Sequence, residues 1–129
     1  MKTAELIGPA LDWAAAKCEG YDCQFDDTVS GPWLIPQEGY LHDEKPLTRF
    51  NPSKNWAQGG PIIEREHISI IDCDGYDFWR ADKMNAQAQV VTTYGPTPLI
   101  AAMRCYCCAK LGDEIDIPEE LQPCQQPSL

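Results

Sequence analysis

The stretch "HISIIDCDGYDFWRA", His67 to Ala81, decides the fold. Ile68, Ile70 and Asp72 recur at the two-residue period of a strand, and the run then meets Asp74-Gly75. That dipeptide tolerates the positive φ angles of a type I′ turn. The spacing therefore predicts an antiparallel hairpin in which Tyr76 to Ala81 returns beside Ile68 to Asp72. Downstream, "AQVVTTY", Ala88 to Tyr94, carries the β-branched residues of a third strand. Upstream, "PIIEREH", Pro61 to His67, reads as a backward extension of the first strand. Strand alternation then sets Glu64 and Glu66 on one face and Arg65 and His67 on the other.

Two helices flank these strands. "GPTPLIAAMRCYCCAKLGDE" places Thr97 as N-cap, Pro98 as first helical residue, Lys110 in the last turn and Gly112 as the stop. Leu99, Ala102, Met103, Tyr106 and Lys110 follow the 3.6-residue period, which predicts a core-facing stripe. Nearer the N-terminus, Pro9 opens a helix that carries Leu11, Ala14, Ala15 and Cys18 at helical spacing and ends at Gly20. Thr3 is placed to cap a short turn running through Leu6. From Tyr21 to Gly60, prolines and glycines recur with no sustained period, while Trp33, Leu34, Ile35, Tyr40, Leu41 and Phe50 supply apolar anchors. An ordered but irregular loop is the expectation there. The whole, residues 1–129, is expected to be one α+β domain. A small, mostly antiparallel sheet is covered by the Pro98–Leu111 helix, with the first helix beside it.

Composition limits the function classes. Twenty acidic against ten basic residues leave a formal charge of −10, which repels a phosphate backbone and argues against direct nucleic-acid binding. No run of about 18 apolar residues offers a membrane span, and Glu5 and Asp12 interrupt anything like a signal sequence. Of the seven cysteines, Cys105 and Cys108 share a helical face while Cys107 points elsewhere, so three thiolates do not converge on a zinc ion. No metal or cofactor is expected: the P-loop spacing and the Rossmann glycine pattern are both missing. No catalytic motif stands out either. His67 is split from its neighbouring carboxylates by alternation, and His42 sits in the polar run "LHDEK".

One constellation points to a ligand. In "NWAQGGPIIEREH", Trp56 offers a flat face for stacking a ring, Gln58 a donor and acceptor for its edge, and Gly59-Gly60 a close backbone approach. The start of the Thr97 helix offers amide donors and the positive end of a dipole. Arg104, about two turns beyond Thr97, is positioned to meet a phosphate or carboxylate. The alternative reading of the same residues is structural: a turn at Gly59-Gly60, a core tryptophan, a helix cap and a surface ion pair.

Three blocks, "ALDWAAAKCEG", "NWAQGGPIIEREHISI" and "GPTPLIAAMRCYCCAKLGDEIDIPEEL", make the chain resemble the NinX family of small phage accessory proteins. The resemblance implies a phage or prophage origin and action in the bacterial cytoplasm, and it carries over no activity and no catalytic residue. The leading expectation is a non-enzymatic binder of a small nucleotide-like ligand, one that sequesters a host anti-phage signal. An acidic adaptor that inhibits a basic host protein and a small nucleotide hydrolase are the competing classes. Association into a homo-oligomer, with a pocket shared between copies, would suit a binder.

Overall fold

Local punctuation decides where the central helix of the molecule begins and ends. The Thr97 hydroxyl accepts the Ile100 amide at 3.1 Å, Pro98 follows it, and Gly112 stops the helix with its amide on the Cys108 carbonyl. In this computed structural model the described residues are 2–21, 33–36 and 47–117, the backbone alone being described over 33–36 and 47–49. They form α1 (Gly8–Glu19), β1 (Trp33–Pro36), β2 (Leu47–Phe50), α2 (Trp56–Arg65), β3 (Ser69–Asp72), β4 (Trp79–Met84), β5 (Val90–Gly95) and α3 (Pro98–Leu111), preceded by a 3-10 turn at Thr3–Glu5. The class is α+β. β3, β4 and β5 make an antiparallel sheet in sequence order, and β1 and β2 make a separate antiparallel pair.

α3 lies between two layers. One side rests on β3, β4 and β5; the other meets α1 and the 3-10 turn. Leu99, Ala102, Met103 and Tyr106 are buried as their period predicts, whereas Lys110 is exposed; Ile100, Ala101, Cys105, Cys107 and Cys108 are buried as well. A helix covered on both sides keeps little solvent face, so the buried arc is wider than a stripe. Contact with β5 is backbone to backbone: a Cβ built on Gly95 would lie 2.7 Å from the Ala101 nitrogen. The Ala-rich face of α1 (Ala10, Ala14, Ala15, Ala16) allows a similarly close approach on the other side. Gly20 ends α1 with φ 78°, where a side chain would be strained.

The hairpin at the centre forms, with Asp72 opposite Trp79. Its turn is not type I′: of Asp74 and Gly75 only Gly75 takes a positive φ, and Cys73 to Phe78 form a longer loop closed by Tyr76 N–H on the Cys73 carbonyl. The return strand therefore begins at Trp79 rather than Tyr76 and runs on to Met84. Thr3 does not cap its turn; its hydroxyl donates to the Gly112 carbonyl at 2.7 Å and its amide to Asp113, tying the first residues to the end of α3.

The largest correction concerns Pro61 to His67. Those residues are not a strand, and Gly59-Gly60 is not a turn; both lie in α2 or its cap. Asn55 starts this helix, its side-chain oxygen accepting the Ala57 amide at 2.9 Å. Burial of Ile62 and of Gly59 against α3 holds it, despite two glycines and an internal proline. The strand-based separation of Glu64 and Glu66 from Arg65 and His67 falls with it. Within the expected irregular stretch Tyr21 to Gly60, the structure also contains β1, β2 and the first turn of α2. The remainder of that stretch, residues 22–32 and 37–46, lies outside the described residues.

α2 ends in a Schellman motif. The Ile68 amide bonds to the Ile63 carbonyl at 3.1 Å and the His67 amide to Glu64 at 3.4 Å, while His67 sits at φ 54°. A Cβ in that region costs about 1–2 kcal/mol, against the about 0.5–1 kcal/mol of extra chain entropy that glycine loses on folding. His67→Gly is therefore expected to raise stability by about 0.5–1 kcal/mol in urea denaturation, and an unchanged or lower midpoint would contradict the motif.

Candidate functional site

The turn before α2 is held by side chains from two helices. Asp12 of α1 accepts the Ser53 amide at 3.0 Å, and Gln58 of α2 accepts the Asn51 amide at 2.7 Å. This holds Ser53, Lys54 and Trp56 against the start of α3. Gly59 makes the approach feasible, because a Cβ there would fall 2.6 Å from Leu99 Cδ2 and 2.7 Å from the Pro52 carbonyl oxygen. The two helix starts thus lie side by side. Between them is a hollow of about 310 Å³ lined by Ser53, Lys54, Trp56, Thr97, Pro98 and Leu99 together with Ile100.

Its walls are chemically varied. Trp56 is 55% exposed, so its indole is a surface group rather than a core one. Lys54 is exposed and supplies an ammonium group. At the α3 start, Thr97 occupies the Ile100 amide, and Pro98 leaves Leu99 as the next amide with no intrahelical acceptor. Ser53 Oγ is buried with no partner in hydrogen-bonding geometry, although it sits near enough to Asp12 to favour that carboxylate. Burial pushes the Asp12 carboxyl up to about 6, against the pull of Ser53 and of the Lys54 charge.

The structure thus brings Trp56 and Thr97 onto one concave surface. It places the other expected residues differently. Gly59 is buried in the α2–α3 contact, and Gly60 is half-buried with open space where its Cβ would be. Gln58 faces a second hollow, of about 290 Å³, beside Glu19, Tyr21, Phe50 and Arg65. Arg104 does not line the Trp56 hollow: its Nε donates to the Leu6 carbonyl at 2.7 Å and its Nη1 to the Tyr94 carbonyl at 2.8 Å. Partial burial holds its pKa below the usual arginine value. Arg104 fastens the 3-10 turn to β5, and Lys54 is the cation beside Thr97. Nothing in the local sequence around Lys54 signals this, because the contact is made by the fold of the turn.

Elsewhere the polar groups are occupied with one another. Arg65 forms a two-bonded pair with Glu19 and bonds Glu66, which in turn pairs with Lys83 at 3.4 Å. Tyr106 donates its hydroxyl to Glu19, and burial followed by that carboxylate raises its pKa. This network joins α1, α2, α3 and β4. Cys18, Cys105, Cys107 and Cys108 are buried thiols; burial pushes Cys105 up to about 12 and Cys108 up to about 11, far from the thiolate a nucleophile needs. Among the described residues no group of His, Cys, Asp or Glu is arranged to hold a metal ion, and no helix is long and apolar enough to cross a membrane. A larger hollow, about 640 Å³, lies at the other end of α3 beside the Asn85 to Gln89 loop, with no aromatic side chain among the described residues that line it.

A model of the family described as "Bacteriophage P22, NinX" matches residues 2–110, which span every described element from the 3-10 turn to the last turn of α3. Among solved structures, the 2.0 Å crystal structure of a phage protein from Bacillus cereus ATCC 14579 is similar over 90% of this chain and 93% of its own. Its TM-score is 0.56 and its identity 15%, a likeness of fold. A search of curated proteins found no match. This chain belongs to the bacteriophage P22 NinX family.

Proposed function

We propose that this phage accessory protein binds a small anionic ring compound, of nucleotide-like chemistry, in the hollow between the starts of α2 and α3. The observation that carries the reading is the half-exposed indole of Trp56 on the same surface as the α3 N-terminus. An indole stacks on a flat ring, while the Leu99 amide, the helix dipole and the Lys54 ammonium favour a phosphate or carboxylate attached to it. The buried Ser53 hydroxyl adds a donor at the floor. Among the described residues, neither a histidine nor a reactive thiol lines this hollow, which favours retention of the ligand over its chemical conversion. For a phage, sequestering a nucleotide signal by which its host reports infection needs no more than such a pocket.

The test begins with protein purified from phage-infected cells and heat-denatured to release small molecules for mass spectrometry. An intact phosphorylated or carboxylated ring compound is expected from the parent and not from Trp56→Ala. Rebinding of that compound is expected to weaken by about 1–3 kcal/mol in Trp56→Ala, through lost stacking. Lys54→Ala should weaken only the charged form of the ligand. Because Trp56 is exposed, thermal melting controls for the fold: a large drop in midpoint for Trp56→Ala would make the residue structural instead. Recovery of cleaved products would replace binding by hydrolysis. Release of nothing, with a host protein retained in its place, would favour the adaptor reading.

A further inference from the structure

Strand alternation divides the β3–β4–β5 sheet into two unlike faces. Ala81, Thr93 and Gly95 are buried on the face that α3 covers, and the Thr93 hydroxyl donates to the Ala101 carbonyl at 2.8 Å. The opposite parity belongs to the other face. Register sets Ile71, Arg80 and Tyr94 in one row across the sheet, then Ser69, Asp82 and Thr92, then Met84 beside Val90. At one end Phe78 packs edge-on against Tyr94 at 5.6 Å and contacts Tyr76. Ile71, Tyr76, Met84, Val90 and Tyr94 are all substantially exposed. This face is therefore apolar at both ends, with a polar centre.

The centre is electrically balanced. Arg80 Nε donates to Asp82 Oδ1 at 3.0 Å and Thr92 Oγ1 to the same oxygen at 2.7 Å. One positive and one negative group thus neutralise a patch on a chain whose formal charge is −10. On a chain this acidic, a neutral patch is where a second copy meets the least repulsion. Two copies related by a two-fold axis through the centre would set Arg80 of each opposite Asp82 of the other. The same axis would set Ile71 and Tyr94 opposite the partner's Ser69 and Thr92, and the Tyr76–Phe78 end against the partner's Met84–Val90 end.

We propose that this open sheet face seats a second copy of the chain, forming an isologous dimer centred on Arg80 and Asp82. Three strands of at most six residues span roughly 15 by 20 Å, smaller than a standard specific interface, so weak, transient association with a dissociation constant on the order of 100 μM is expected. The site is separate from the Trp56 hollow, so this inference stands whatever that hollow binds.

The experiment is sedimentation velocity on the full chain from about 1 to 300 μM. The parent should shift from monomer to dimer across that range. Arg80→Glu and Asp82→Arg, each alone, should raise the dissociation constant about tenfold or more, because each homodimer then faces like charges. Mixed in equal amounts they should recover the parent's association, since every cross-copy pair is again of opposite sign. An exposed ion pair contributes little to folding, and circular dichroism melts confirm that each variant is intact. A parent that stays monomeric at the upper concentration overturns the proposal. So does a dimer indifferent to both reversals, or a mixture that associates no better than its components.

Discussion

Gly59→Ala is expected to destabilise the protein by about 2–3 kcal/mol, while Gly60→Ala, one residue along the same helix, should stabilise it by about 0.5–1 kcal/mol. The two glycines look equivalent in sequence. At position 59 a Cβ would fall 2.6 Å from Leu99 Cδ2 and 2.7 Å from the Pro52 carbonyl oxygen. The leucine methyl can swing aside; the carbonyl is backbone and moves only with the Ser53–Asn55 turn. At position 60 nothing lies within 4 Å of the added carbon, and the backbone is helical, so alanine simply removes conformational freedom from the unfolded chain. Paired urea titrations read both. Equal effects of the same sign would mean that α2 does not pack on α3 as described, and the Trp56 hollow, which depends on that packing, would fall too.

The second large effect is a dependence on pH. Burial raises the Asp12 carboxyl from its ordinary 3.8 to about 6, so between those values the folded protein holds a proton the unfolded chain has released. Stability falls wherever the folded state binds more protons as pH rises, and the loss is complete above about 6. A shift of that size corresponds to something on the order of 3 kcal/mol. Asp12→Asn keeps an oxygen for the Ser53 amide and carries no charge. The variant should match the parent near pH 4 and exceed it by a few kcal/mol near neutrality, in denaturation followed across that window. A variant with the parent's pH slope would show that Asp12 is ionised in the fold without penalty. Since Asp12 holds the Ser53 turn, the variant also reports whether its charge matters to ligand retention: a neutral floor should favour an anion, not weaken it.

Much of the molecule was legible before any coordinates. Thr97, Pro98 and Gly112 bounded α3, Pro9 and Gly20 bounded α1, and the Asp74-Gly75 hairpin lay at the centre of the sheet. Part of the candidate site was legible as well: Trp56 and Thr97 share a hollow, as their complementary chemistry suggested. Arg104 was misplaced because helical spacing gives a direction along the axis and not which neighbours compete for a guanidinium. Two backbone carbonyls claim it. Lys54 and Ser53 carry no local signal, because a turn residue's importance depends on what the turn is folded against.

What the sequence by itself determined are features whose causes span a few residues: caps, turn glycines and the alternation of β-branched side chains, each set by local sterics and hydrogen bonds. What only the tertiary structure decided is the state of residues 56–65. Two glycines and a proline inside a helix carry local penalties of roughly 1, 1 and 3 kcal/mol, which is why this stretch reads as a turn and a strand. The opposing terms come from far along the chain. Ile62 is buried, Gly59 admits Pro52 and Leu99 to contact distance, and Glu66 at the helix end meets Lys83 from β4. Apart from the nearby Pro52, these contacts form only when α3 and the sheet are in place, so no window of local sequence weighs them.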